Sequence, residues 1–338
     1  MPQLRQDRFT KEWVFVATEY VEHPQDLFVK RTEKRLPAFD PHCPFCPGNE
    51  HQTPPEVLRV PSPSKCGWTV RVVPNRFNGL APDAGPGRTA RRAHRSAEEF
   101  GIHEVIVETP DHSLTTALLP EAQVASVLRA SKVRYDELSL DPCIAHATLF
   151  KSHGLEAGST LEHSHCRLIA TPEVSTQVSN RLREARRHYD EFRECIFCTV
   201  VQEELHAQMR IVMTTEHFVA LEPFASPTPF CTHIYPRRHM ANFAEISGDE
   251  INDLARILRR MLAKLYFGLE NPDFGYTIRM APVEEAGTSY YHWYLSIVPC
   301  LAPQLTLEMK SGVFINTVLP EKAAEFLREV RVEQAIPA

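Results

Sequence analysis

The chain has 338 residues, 43% of them hydrophobic and 24% charged, and a formal charge of −6 from 37 basic and 43 acidic side chains. That composition can bury a core without disulfide staples, which excludes a disordered chain or a miniprotein scaffold, and the negative balance argues against a nucleic-acid partner. No run approaches the ~18 apolar residues of a membrane span, and residues 1–7 lack the apolar core of a signal peptide, so the expectation is a cytoplasmic protein of about two domains with no membrane partner.

Residues 1–40 alternate short β-like runs, such as Trp13-Val14-Phe15-Val16-Ala17, with charged loops. Cys43-Pro44-Phe45-Cys46-Pro47-Gly48 reads as a knuckle-like turn, and Trp68-Thr69-Val70-Arg71-Val72-Val73 as a strand. The Gly-, Pro- and Arg-rich stretch 81–99 reads as a solvated surface loop, with a basic flap over a phosphate-bearing substrate as the functional alternative. Alternation of β-branched residues predicts a strand over 102–108, ending at Pro110-Asp111-His112. Val124, Val127, Leu128, Ser131 and Tyr135 recur at helical spacing over 120–138, with Pro120 suited to the first turn. Strands follow at 145–151 and 164–170.

From about residue 176 the pattern starts again. A charged helix over about 177–192 leads to Cys195-Ile196-Phe197-Cys198. Strands come next at 217–222 and 230–235, the second running into Pro236-Arg237-Arg238-His239. A helix over 248–268, strands at 274–280 and 292–298, and a final helix over about 320–331 close the pattern. His112 and His163 are 51 residues apart, His239 and His292 are 53 apart. Such agreement in a repeated order of elements marks an internal duplication of long period, divided here into 1–175 and 176–338.

Nine cysteines, at 43, 46, 66, 143, 166, 195, 198, 231 and 300, are an odd number, and four of them form two Cys-x-x-Cys pairs. In a reducing compartment this pattern points to metal ligation before disulfides. A closed tetrahedral zinc site takes Cys₂His₂ sets, and the repeat offers one in each half: Cys43, Cys46, His112 and His163, then Cys195, Cys198, His239 and His292. His233 is a weaker competitor for His239, and His103, His146 and His153 read as strand or loop residues.

In His163-Ser164-His165 the two imidazoles project from one strand face, so His165 is held beside a metal-anchored neighbour. Gly158, Ser159 and Thr160, just upstream, offer backbone N–H groups and hydroxyls suited to phosphate oxygens, and a neutral imidazole so placed can attack phosphorus. The second half has Tyr294 at the corresponding position, so only the first half is expected to be catalytic.

These motifs, together with Val73-Pro74-Asn75, Tyr291-His292-Trp293-Tyr294 and Phe314-Ile315-Asn316-Thr317, run over nearly the whole chain. In them the sequence resembles the galactose-1-phosphate uridylyltransferase family of the histidine-triad superfamily, most of all its ADP-glucose phosphorylase branch. The resemblance implies an α+β fold of two tandem histidine-triad-like halves, each an antiparallel sheet with packed helices. It implies a ping-pong nucleotidyltransferase that moves a nucleoside monophosphate from a nucleotide sugar to a sugar 1-phosphate or orthophosphate. It further implies His165 as nucleophile, the two Cys₂His₂ sets as two zinc sites per chain, Asn75 near the nucleotide, 158–160 at the phosphates, and a homodimer. Arg167 and Ser152 stand where the family usually has Gln and Asn. Arg is a longer, cationic, bidentate phosphate donor, so the acceptor or its charge is expected to differ, and Lys151 is expected to join Arg167 at the phosphoryl oxygens. Two alternatives remain open: a nucleotide-sugar or dinucleotide hydrolase or phosphorylase of the same superfamily, and a zinc-stabilised nucleotide-binding protein without turnover. The nucleobase is not specified by spacing.

Overall fold

The computed structural model describes residues 2–16, 36–63, 67–76, 88–91, 94–97, 100–301 and 313–332. The chain opens with β1 (Gln3–Gln6) and β2 (Trp13–Val16). The first half continues through β3 (Leu58–Pro61), β4 (Trp68–Pro74), a hairpin of β5 (Arg88–Arg91) and β6 (His94–Ala97), β7 (Ile102–Val107), α1 (Glu121–Leu138), β8 (His146–His153) and β9 (His165–Thr171). The second half comprises α2 (Thr176–Phe192), α3 (Ile196–Ala207), β10 (Ile211–Thr214), β11 (Phe218–Leu221), β12 (Thr232–Pro236), α4 (Gly248–Gly268), β13 (Phe274–Arg279), β14 (Tyr294–Pro299), β15 (Phe314–Asn316) and α5 (Pro320–Glu329).

Ten strands form one sheet in the order β10-β11-β12-β14-β13-β8-β9-β7-β4-β3. Read inward from its two edges the order is the same, with α1 between β7 and β8 and α4 between β12 and β13. The duplication inferred from His spacing is therefore visible as a palindrome. The fold is α+β, two similar halves of antiparallel strands and packed helices, and the two sheets are continuous because β8 pairs with β13 (Phe150 opposite Thr277, His153 opposite Phe274).

Strand alternation divides the residues between two faces. On β9, Cys166, Leu168 and Ala170 are fully buried, whereas Arg167 and Ile169 are only partly so. The buried set joins Val70, Val72, Ile106, Leu149, Ile234, Leu295 and Ile297 under α1 and α4 in the main core. Val124, Val127, Leu128, Ser131 and Tyr135 are all buried, as the helical spacing of α1 predicts. Pro120 is the residue before the first turn rather than within it. A capping box between Ser247 and Glu250 starts α4. Every candidate for chemistry in the first half other than Lys151 belongs to the opposite face or to the loops at its rim.

Several elements were not legible. The helix α3 starts at the second Cys-x-x-Cys, where β-branched and aromatic residues hide a helical period. Part of the expected loop 81–99 is the β5–β6 hairpin, and residues 81–87 lie outside those described. A separate small sheet joins β15, parallel, to the β1–β2 hairpin. Its outer face carries Leu4, Phe15 and Ile315 side by side in register, all exposed, with Trp13 and Val313 next to them. No helix among the described residues is long and apolar enough to cross a membrane.

Candidate active site and metal centres

Both predicted ligand sets are assembled. In each, the Cys Sγ and His nitrogen atoms lie within 4.8 Å of one another. Cys43 Sγ is 3.5 Å from His163 Nδ1, and Cys46 Sγ is 3.5 Å from His112 Nδ1. Cys198 Sγ is 3.3 Å from Nδ1 of both His239 and His292. Tetrahedral zinc with ordinary bond lengths separates sulfur and nitrogen ligands by about 3.6 Å, so the donors fit such an ion in type and spacing. The hydrogen bonds behind the ligands fit as well: His163 Nε2–H donates to Thr109 O at 2.7 Å and His239 Nε2–H to Thr288 O at 3.0 Å, which leaves each Nδ1 lone pair facing the thiols. The Asp40 N–H also donates to Cys46 Sγ at 3.3 Å. Burial pushes the Cys43 thiol up to about 11, the direction that a bound cation would reverse. His233 instead pairs with the Tyr235 hydroxyl, 3.0 Å from its Nδ1. No disulfide joins any two of Cys143, Cys166, Cys231 and Cys300, and Cys66 lies outside the described residues.

His165 begins β9 and is 4% exposed. Its Nδ1–H donates to the carbonyl of His163 at 2.8 Å, so the Nε2 lone pair is the one left for chemistry. Burial is the chief reason its pKa falls to about 4, with Lys151 and Arg167 adding to the effect against the His163 carbonyl and Glu108. The imidazole is thus neutral at neutral pH. Phe45, from the Cys-x-x-Cys turn, packs edge-on against it with ring centroids 5.4 Å apart.

Arg167 stands two residues further on the same face. Its guanidinium lies 6.0 Å from the centroid of Phe150 on β8, opposite it in register, and has no carboxylate partner among the described residues. Ser152, two residues past Phe150, shares this face and is partly exposed. On the other flank Asn75 follows β4; its side-chain amide is 3.1 Å from His103 Nε2 and its N–H donates to His103 O. His103, read from the sequence as only a strand residue, lies on the site face within electrostatic range of Arg167. The signal that could have found it is its alternation with Val105 and Val107, which line the same face beside Cys43 and Cys46.

The loop before His163 is built differently from the expectation. Gly158 N–H donates to Leu155 O and Ser159 N–H to Gly154 O, and the Ser159 hydroxyl donates to Leu161 O at 2.9 Å. Gly158 and Ser159 therefore shape the turn from within; Ser159 is buried, and of the two exposed residues only Thr160 carries a side chain that can bond a ligand. The loop is anchored from the second half, where Asp273 accepts the Glu156 N–H at 2.7 Å.

Lys151 corrects the sequence reading. It alternates with Phe150 and Ser152, so it points to the helix face, away from His165 and Arg167. There its side chain is 1% exposed and bonded to Glu108 at 2.9 Å, which leaves it no route to a substrate phosphate. Ser164 and Glu108, which the sequence reading did not single out, are its partners.

In the second half the space matching the His165 site is filled by rings. Tyr294 stacks on Tyr235 at 5.1 Å, and Phe9 from the N-terminal hairpin stacks on Phe197 at 4.3 Å.

Residues 1–175 match the family model for the galactose-1-phosphate uridyl transferase N-terminal domain, and residues 177–333 the one for its C-terminal domain. ADP-glucose phosphorylase of Arabidopsis thaliana is 32% identical over 340 residues, covering 97% of this chain and 93% of that protein. Galactose-1-phosphate uridylyltransferase of Thermotoga maritima is 30% identical over 343 residues, covering 98% and 100%. The crystal structure of the Arabidopsis thaliana ADP-glucose phosphorylase with bound ADP-glucose superposes with a TM-score of 0.83 at 29% identity, covering 98% of this chain and 99% of that one. With duplicated Cys₂His₂ sets, a palindromic sheet and both family domains matched along its length, the chain belongs to the galactose-1-phosphate uridylyltransferase family.

Proposed function

We propose that the protein is a nucleotidyltransferase that moves a nucleoside monophosphate from a nucleotide sugar to a sugar 1-phosphate or orthophosphate through a covalent nucleotidyl-histidine at His165. The observation that carries this reading is the bond between His165 Nδ1 and the His163 carbonyl at 2.8 Å, which assigns the lone pair for attack to Nε2. In the first half-reaction Nε2 attacks the α-phosphorus, the N–P bond forms, the P–O bond to the leaving group breaks, and a sugar 1-phosphate departs. In the second, a phosphate oxygen of the acceptor attacks the same phosphorus and the N–P bond breaks, which restores the imidazole. Arg167, Ser152 and Thr160 hold the phosphoryl oxygens as charge shifts onto them, and Asn75 with His103 faces the nucleoside. The similarity to an ADP-glucose phosphorylase supports ADP-glucose as the first donor to try and orthophosphate as the first acceptor.

Each Cys₂His₂ set holds zinc in this reading, two per chain; four protein ligands leave no open position, so the ion cross-links strand, turn and loop. The boundary between the catalytic and the second domain falls at 175/176. A second copy of the chain covers the apolar outer face of the small sheet, giving a cytoplasmic homodimer; Leu4, Phe15 and Ile315 aligned on one exposed face support this.

The test is to incubate the protein with α-³²P-labelled nucleotide sugars and measure acid-labile, base-stable label on the chain. Label absent in His165→Asn and chased by a sugar phosphate or orthophosphate supports transfer. Chase by water alone makes the protein a hydrolase, and binding without any label sinks the enzyme reading.

A further inference from the structure

We infer that Lys151 and Glu108 are positioning residues for the nucleophile, a buried ion pair that grips the backbone of residues 164–165 from the helix side of the sheet. The inference rests on the reading of His165 as the attacking group.

All three ammonium protons of Lys151 are used: on Glu108 Oε2 at 2.9 Å, on Ser164 Oγ at 3.0 Å and on the carbonyl oxygen of His165 itself at 3.0 Å. The Ser164 hydroxyl donates to the same Glu108 oxygen at 2.7 Å, as does Thr116 at 2.6 Å. The Glu108 N–H closes the arrangement on Ser164 O at 3.1 Å. Both charged side chains are inaccessible, Lys151 at 1% and Glu108 at 0%. Burial opposes the Glu108 carboxylate, yet Lys151, Thr116 and Ser164 hold its pKa below the ordinary value, so the pair stays ionised.

A buried ion pair is weak evidence for stability as such, since apolar residues of similar volume do as well or better. The second half carries out that replacement. Phe150 faces Arg167 as Thr277 faces Ser296, and Val105 faces Arg167 as His233 faces Ser296. By that register Lys151, Glu108 and Ser164 correspond to Ile278, Pro236 and Trp293, all three buried. The same fold is thus built with an apolar trio where Tyr294 replaces the nucleophile, and with a charged clamp only where His165 must be aimed. One face of β9 carries the imidazole, and the other carries the groups that stop its backbone from shifting. A misplacement of about 1 Å at a reacting atom costs on the order of 100-fold in rate.

The experiment compares wild type with the paired variant Lys151→Met/Glu108→Gln, which leaves no unpaired buried charge, and with Ser164→Ala. Metal content and melting temperature are measured first, then the single-turnover rate of label transfer from an α-³²P nucleotide sugar to the folded protein, and KM. The paired variant is expected to label about 100-fold more slowly with KM within about threefold of wild type, whatever its melting temperature. Ser164→Ala, which removes one hydroxyl and folds if the paired variant does not, is expected to lose roughly tenfold in the same rate. Folded variants that label at the wild-type rate overturn the inference and leave the pair a purely structural feature. Wild-type protein that never labels strikes the reading of His165 instead and takes this inference with it.

Discussion

The carbonyl oxygen of His163 lies 2.8 Å from Nδ1 of His165, so one residue presents its ring to a metal-ligand set and its backbone to the proposed nucleophile. Ring and carbonyl are rigidly related, and whatever fixes the His163 imidazole also fixes the tautomer of His165. Loss of the first metal set should therefore abolish labelling. His112→Ala is expected to lower bound zinc from about two per chain to about one and to reduce label transfer by at least the roughly 100-fold of a misplaced nucleophile. His239→Ala is expected to remove one zinc and lower the melting temperature while the folded protein still labels. Metal analysis beside the labelling assay checks both, and equal loss of labelling in the two variants would contradict the separation of roles.

Arg167 faces the site with no carboxylate among the described residues to compete for it. Arg167→Ala should slow label transfer by about 10²-fold, the scale of one charge-assisted contact in the transition state. Arg167→Gln should retain part of that rate and shorten the lifetime of the labelled protein, because the neutral amide holds the phosphorylated histidine less tightly. Quench-flow measurement of the chase by orthophosphate checks the second point; an unchanged chase rate would rule it out.

Gly154 has φ +82°, and a Cβ there would run into the Asp273 carboxylate. The left-handed backbone disfavours any L residue, and displacement of Asp273 removes the anchor of Glu156 N–H. Gly154→Ala is expected to destabilise the protein by at least about 1 kcal/mol and to raise KM for the nucleotide sugar more than it lowers kcat. Thermal melts and steady-state kinetics test the two effects independently.

Glu222 is fully buried, accepts one hydrogen bond from Thr232 Oγ1 at 2.7 Å, and has no partner for its other oxygen among the described residues. Burial raises its pKa to about 8 against the Thr232 bond, from an ordinary value of 4.5. The folded state therefore binds a proton that the unfolded chain releases between those values, so stability falls as pH rises from about 4.5 to about 8 and then levels off. The loss is on the order of 5 kcal/mol. Glu222→Gln is expected to flatten that slope, which melting temperatures of both proteins at pH 5, 6, 7 and 8 will reveal.

The His-x-His strand, both ligand sets and the helices α1 and α4 were legible because each rests on short-range periodicity or on ligand spacing. The continuous sheet was not, since nothing local to β8 or β13 says that they pair with each other rather than end two separate sheets. Lys151 was misread for a related reason: its neighbours in the chain belong to the site, but strand alternation turns it the other way, and only the register with β9 shows what it touches. Gly158 and Ser159 were assigned to the phosphates by residue type, whereas their N–H groups and hydroxyl are used inside the loop.

The pairing of β8 with β13 gives the second half a task that needs no chemistry of its own. Without β13, the strand that bears Phe150 and Ser152 would end the first sheet as a raw edge, its outward N–H and C=O groups open to any passing strand. The copy with Tyr294 at the position of His165 therefore works as a backbone partner for its sibling. Separate expression of either half would leave a fragment with a raw sheet edge, at β8 or at β13.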